Sequence, residues 1–217
     1  GGLPHQQIAI DSVCNVFANS DINYNIDSIS NPIIDIAHGQ IAQNIKAIQA
    51  QVHPSIRGVN TLSNYLSLDI KMETGTGKTY VYVATMFELH RRYKINKFII
   101  VVPTLPIKAG TKQFIEDPYV IRHFRDECKF GTEIELQVLE SKKAKKGKSY
   151  FPSAVSEFVK GSKQTTNKIY VLLTNMALLT NGKQLTTEYD STIEGFYSPI
   201  KAIEATKPIV IIDEPHR

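Results

Sequence analysis

The stretch Met72-Glu73-Thr74-Gly75-Thr76-Gly77-Lys78-Thr79 limits what this chain can fold into more than any other feature. It follows an apolar segment at 66–70 (Leu-Ser-Leu-Asp-Ile) that predicts a strand. It precedes a run at 80–92 whose apolar positions Val81, Val83, Ala84, Phe87 and Leu89 predict a helix. Strand, glycine-rich turn and helix form the setting in which a phosphate-binding loop works. Glycines accept backbone angles that a side chain forbids, so successive N–H groups can converge on an anion. The helix adds unpaired N–H groups and the positive end of its dipole. In such a loop Thr74, Gly75, Thr76 and Gly77 surround a triphosphate and Lys78 brings a point charge to its β- and γ-phosphates. The Thr79 hydroxyl can hold a magnesium ion. Met72 stands where the strict pattern has glycine, and a bare strand-to-helix turn is the competing reading. That turn alone gives the Lys78-Thr79 pair no folding role.

The closing residues, Pro208-Ile209-Val210-Ile211-Ile212-Asp213-Glu214-Pro215-His216-Arg217, carry the second signal. Four consecutive aliphatics describe a central strand that delivers two carboxylates at its C-terminal tip. Acids beside a buried strand are costly unless a cation or a reaction requires them. Beside a phosphate loop, Asp213 is expected to help hold magnesium and Glu214 to position and polarise an attacking water. The two motifs together point to ATP hydrolysis, with Lys78, Asp213 and Glu214 catalytic; a surface-exposed acidic turn is the alternative.

Between the motifs, continuous β-branched runs at 97–102 and 169–173 predict strands buried on both faces of a parallel sheet, and 133–139 alternates like a further strand. Helical spacing recurs at 3–17, 40–52 and 105–114, and His53-Pro54 and Gly58 predict turns. A short strand is expected around 33–36, within a polar loop, and 191–203 resists assignment. The fold class is therefore α/β, a phosphate-loop domain with a mostly parallel central sheet flanked by helices. Pro103-Thr104 ends one strand at the edge that carries the phosphate loop. Thr104 there either caps a helix or meets a nucleic-acid phosphate through its hydroxyl. The run at 142–148 (Lys-Lys-Ala-Lys-Lys-Gly-Lys) reads as a solvated loop or an accessory phosphate contact.

The formal net charge of +4 permits a nucleic-acid partner without arguing for one. Cys14 and Cys128 lie far apart without metal-ligand spacing and read as free thiols of a reducing compartment. Neither a signal peptide nor an apolar run of membrane-spanning length is visible, so a soluble cytoplasmic location without membrane contact is expected. The Gly1-Gly2 start, without methionine, reads as a processed or engineered end.

Residues 68–80 closely resemble the nucleotide-binding loop of the Res (restriction) subunits of type III restriction-modification enzymes, in which Met-Glu before Thr-Gly-Thr-Gly-Lys-Thr is usual. Asp213-Glu214-Pro215-His216 is similar to their variant of the Asp-Glu-x-His box of superfamily 2 helicases, and Leu3-Pro4-His5-Gln6 to their upstream glutamine motif. The resemblance implies a recombinase-like motor domain using ATP and Mg2+, double-stranded DNA as substrate and a methyltransferase subunit as partner. It implies that Gln6 reads the adenine edge and that His216 couples the nucleotide to a partner domain. By the same resemblance Thr104, Lys108 and Gly110, with Thr174 and Asn175 at a later strand end, touch the nucleic-acid backbone.

Residues 1–217 are then expected to form one N-terminal helicase-type ATP-binding domain. Residues 1–66 would supply the helical and loop portion with the glutamine motif, and 67–217 the phosphate-loop core. The second motor domain and the nuclease are expected beyond Arg217, which leaves the fragment alone poorly active. Three other readings compete: a stand-alone superfamily 2 DNA or RNA helicase, a small-molecule phosphotransferase, and a nucleotide-binding module without turnover.

Overall fold

A computed structural model describes residues 2–24, 29–37, 39–52, 65–141, 151–161 and 167–214. The features expected at His53-Pro54, Gly58, 142–148 and His216 fall outside the described residues. The chain runs through α1 (Pro4–Asn15), β1 (Ile22–Asn23), β2 (Ile33–Ile34), α2 (Gly39–Ala50), α3 (Lys78–Tyr93), β3 (Lys97–Val102) and α4 (Leu105–Glu116). It continues through α5 (Pro118–Arg122), a π-helical turn at His123–Glu127, β4 (Glu133–Val138), α6 (Ser153–Lys160) and β5 (Lys168–Asn175). It ends with α7 (Met176–Asn181), α8 (Lys183–Thr186), α9 (Pro199–Ala205) and β6 (Ile209–Ile212).

β4, β5, β3 and β6 hydrogen-bond in that order, all parallel, while β1 and β2 form a separate antiparallel pair. β3 and β5 are the inner strands. Their side chains alternate between two covered faces, which is why both sequences read as unbroken apolar runs. Phe98, Ile100, Val102, Ile169, Val171 and Leu173 pack into one core with α1, α2 and α3. Ile99, Val101, Tyr170 and Leu172 pack into the other, against Val155, Phe158 and Val159 of α6 and Ala202 and Ile203 of α9. The result is an α/β fold with helices on both sides of a four-stranded parallel sheet, consistent with a phosphate-loop, helicase-like domain.

Two expectations need correcting. Residues 66–70 form no strand, and β6 is consequently an edge strand rather than a central one. Val210 and Ile212 are nearly half exposed. A cavity of about 1400 Å³, lined by Leu66, Leu68, Ile70 and Met72 on one side and β6 on the other, occupies the place beside that edge. The alternation at 66–70 describes an amphipathic segment, but alternation cannot say whether a ladder of hydrogen bonds closes next to it.

Asn31, in the polar loop before β2, fastens the start of the sheet. Its Oδ1 accepts from the N–H groups of Asn96 and Lys97 at 2.9 and 2.8 Å. Its Nδ2 donates to the carbonyls of Lys97 and Lys207 at 2.9 and 3.1 Å. One buried amide therefore joins the N-terminal segment to β3 and to the turn before β6.

Lys97 itself is wholly buried. Its ammonium donates to the carbonyls of Phe158 and Val159 at the end of α6 and lies 4.8 Å from the Tyr170 ring centre. Burial pulls its pKa down to about 7 from an ordinary value of 10.5. Between those two values the unfolded chain holds more protons than the folded one, so stability rises with pH across that window. The slope reaches at most ~1.4 kcal/mol per pH unit. Urea unfolding at pH 7, 8 and 9 should show this rise, and Lys97→Met should flatten it; equal slopes in both proteins would contradict the assignment.

Candidate nucleotide site

Parallel pairing sends the C-terminal ends of β3, β5 and β6 to one edge of the sheet. In register, Val102 lies opposite Asn175 and Val101 opposite Ile212. Thr104, Asn175, Asp213 and Glu214 therefore leave the sheet on the same side, the crevice where parallel α/β sheets bind ligands. The Asp213 N–H bonds the Val101 carbonyl at 2.9 Å, extending the ladder one residue beyond β6 and fixing where the acidic pair begins.

The glycine turn meets that edge. Gly75 and Gly77 both have positive φ, +81° and +85°, and Gly77 is the residue from which α3 starts. The Thr76 hydroxyl donates to the Glu73 carbonyl at 2.6 Å and tightens the turn. A Cβ on Gly75 would meet only open space, so the glycine is required there by backbone angle rather than by crowding. A Cβ on Gly77 would come within 2.5 Å of the Gln6 amide nitrogen. Lys78 opens α3, and its Nζ lies 3.8 Å from a carboxylate oxygen of Glu214.

Glu214 has φ +53°, an angle that a residue with a side chain adopts at a cost of roughly 1 kcal/mol or more. Its carboxylate lies beside Lys78, and the side chain is only 15% exposed. Asp213 has its pKa raised, first by burial and then by the neighbouring Glu214, against the lowering effect of Lys78. Two carboxylates thus share one nearby lysine, and the remaining negative charge suits a divalent cation. Among the described residues no three His, Cys, Asp or Glu side chains gather to hold a metal. Two carboxylates beside a phosphate turn are a donor set that magnesium could use, since it takes one or two carboxylates and fills its shell with water and phosphate oxygens.

Tyr82, which the sequence did not single out, belongs to this site. Its hydroxyl lies 3.2 Å from the Thr111 hydroxyl of α4 and near enough to Asp213 to feel its charge. Burial raises its pKa, so the phenol stays protonated. The signal was present in the spacing, since Tyr82 follows Thr79 by three residues and shares its helix face.

Gln6 also reaches the loop. Its Nε2 donates to the Thr76 carbonyl at 2.9 Å, and its Oε1 accepts from the Leu3 N–H at 2.9 Å. α1 brings it there by docking on α3. The Arg92 guanidinium contacts Asp11 at 2.7 Å and Glu88 at 3.1 Å, and the Tyr93 hydroxyl donates to the Cys14 carbonyl.

The residues expected at a nucleic acid divide into two groups. Thr104 and Gly110 are exposed on α4 and its approach. Lys108 is buried, its ammonium donating to the Leu139 carbonyl and lying 3.5 Å from Glu140, so its charge is committed inside the protein. Thr174 is fully buried, and the Asn175 side chain caps α7 by accepting from the Leu178 N–H. Their spacing at strand ends is as expected, but their polar groups serve the fold.

The family model described as type III restriction enzyme, res subunit, matches residues 3–217. The chain is 42% identical over 225 residues to the EcoP15I Res subunit of Escherichia coli, covering 99% of this chain and 23% of that protein. It is 40% identical over 228 residues to the EcoPI Res subunit of Escherichia phage P1, with coverage of 99% and 23%. To the StyLTI Res subunit of Salmonella typhimurium it is 36% identical over 218 residues, with coverage of 99% and 20%. It therefore spans under a quarter of the length of these relatives. Motifs, fold and similarity agree, and the chain belongs to the family of type III restriction enzyme res subunits.

Proposed function

We propose that this chain is the ATP-hydrolysing motor domain of a type III restriction enzyme, driving movement on double-stranded DNA ahead of cleavage. The observation that carries the reading is the approach of the phosphate-loop lysine to the strand-end acid, Lys78 to Glu214 at 3.8 Å, across a turn whose glycines adopt anion-binding angles. ATP is the substrate and magnesium the cofactor that would screen its charge. Thr74, Gly75, Thr76 and Gly77 line the phosphates with backbone N–H groups, and Lys78 neutralises charge that develops on the γ-phosphate. Thr79 and Asp213 would hold the metal, directly or through water. Glu214 orients the attacking water and takes its proton, releasing Lys78 to the phosphate as it does so. Gln6, whose amide is held against the loop by the Thr76 carbonyl and the Leu3 N–H, would read the adenine edge in exchange for those contacts.

Movement requires that DNA contact alter this site. α4 is suited to that, because Thr104 and Gly110 are exposed along it while Thr111 on the same helix touches Tyr82 at the nucleotide site. The nuclease, a second motor domain and a methyltransferase partner are proposed on the strength of family membership. His216 would couple the site to the second motor domain.

Replacing Glu214 by Gln in the whole protein should lower ATP turnover on the order of 10²–10⁴-fold. Nucleotide affinity should change only a few-fold, since the lysine and glycine contacts remain. Unchanged turnover would remove Glu214 from the reaction. Assayed without the rest of the protein, residues 1–217 should hydrolyse ATP far more slowly than the whole enzyme, because half of the catalytic cleft is expected from a second domain. Equal rates per site would contradict that division of labour.

A further inference from the structure

A second cluster of reactive side chains stands on the other flank of α3, outside the nucleotide site. The π-helical turn His123–Glu127 ends with the Cys128 N–H bonded to the His123 carbonyl at 3.0 Å. That wide turn stacks cysteine and histidine on the same side. Cys128 Sγ lies 3.4 Å from His123 Nε2, and His123 Nδ1 lies 2.8 Å from the Glu127 carboxylate. From α3, the Tyr80 hydroxyl reaches the same Nε2 at 3.1 Å.

The arrangement has the roles of a thiol nucleophile, a base and a group that orients the base. A carboxylate at Nδ1 fixes the proton there, leaving Nε2 as an acceptor facing the thiol. Once the proton has moved, the imidazolium donates to the sulfur. Tyr80 stays a neutral phenol beside the imidazole, since burial and then the nearby sulfur push its pKa up to about 12. The turn is held against α3 by stacked rings: Tyr80 on Phe124 at 5.4 Å, Phe87 on Phe124 at 4.9 Å and Phe87 on Phe130 at 5.0 Å. Cys128 and His123 are both only partly buried, so a small reagent can reach them. π-helical turns recur at functional sites for this reason: they present side chains that a regular helix would separate.

We propose that Cys128 is a modification site, a thiol deprotonated by His123 and oxidised by small hydroperoxides. The thiol proton passes to His123 Nε2, and the thiolate attacks one peroxide oxygen. The S–O bond forms as the O–O bond breaks, oxidising the sulfur to a sulfenic acid and reducing the peroxide. The leaving hydroxide, or alkoxide, recovers the proton from His123 as water or an alcohol. This inference stands apart from the nucleotide reading, since it concerns a different set of side chains.

Cys14 supplies the control within the same chain, being fully buried with its thiol pushed up to about 12 by burial. The whole protein is treated with limiting hydrogen peroxide at pH 7 in the presence of dimedone, and the adducts are located by peptide mass spectrometry. Cys128 should be trapped about tenfold faster than the same residue in the denatured chain, with Cys14 unlabelled until denaturation. His123→Gln should remove the acceleration, and Glu127→Gln, at an exposed position, should reduce it several-fold while leaving the melting temperature unchanged. Trapping no faster than in the denatured chain overturns the proposal, as does a folded Glu127→Gln protein that reacts like the parent.

Discussion

The parallel register of three strands determines where the chemistry can sit. β5, β3 and β6 run side by side in one direction, so whatever follows each of them emerges at one edge. Antiparallel pairing of β6 would carry Asp213 and Glu214 to the opposite edge, away from the glycine turn. The register depends on side chains buried on both faces of β3 and β5, and on Asn31, which fixes the starting ends of β3 and of the turn before β6. A site at one end of the sheet is thus stabilised by an amide at the other.

Electrostatics then select among the residues collected there. Lys78, Asp213 and Glu214 form a group of one cation and two anions, incompletely balanced and partly shielded from water. Such a group is a poor stability device, because burial costs each charge its hydration. It is well adapted to a ligand that brings both anionic phosphates and a divalent cation. The positive φ of Glu214 has the same character: a local cost retained where side-chain direction matters more than backbone comfort.

Much of this was legible in the sequence because the informative residues are contiguous. The phosphate turn, the acidic tip of β6, the helix at α3 and the buried strands β3 and β5 all depend on local spacing, and each lies where that spacing put it. The structure departs where a long-range partner decides. Residues 66–70 alternate like a strand yet stand across a cavity from β6. Lys108 looks like a surface cation in a helix turn, but its partner is a carbonyl at Leu139, 31 residues away. Asn31 reads as an ordinary loop asparagine until the Asn96, Lys97 and Lys207 groups that it joins are brought together. The cluster at Cys128 was hidden by a π-helical turn, whose i to i+5 spacing no regular helical pattern would search.

The account stands or falls on whether Thr79 and Asp213 serve one metal–nucleotide complex. Electron paramagnetic resonance of Mn2+ in place of Mg2+, with a non-hydrolysable ATP analogue bound to the whole protein, reads this directly. The account predicts a nucleotide-dependent bound Mn2+ signal with phosphorus hyperfine coupling, strongly weakened by Thr79→Ala and by Asp213→Asn. A phosphorus-coupled signal of parental strength in both variants would place the metal elsewhere and contradict it.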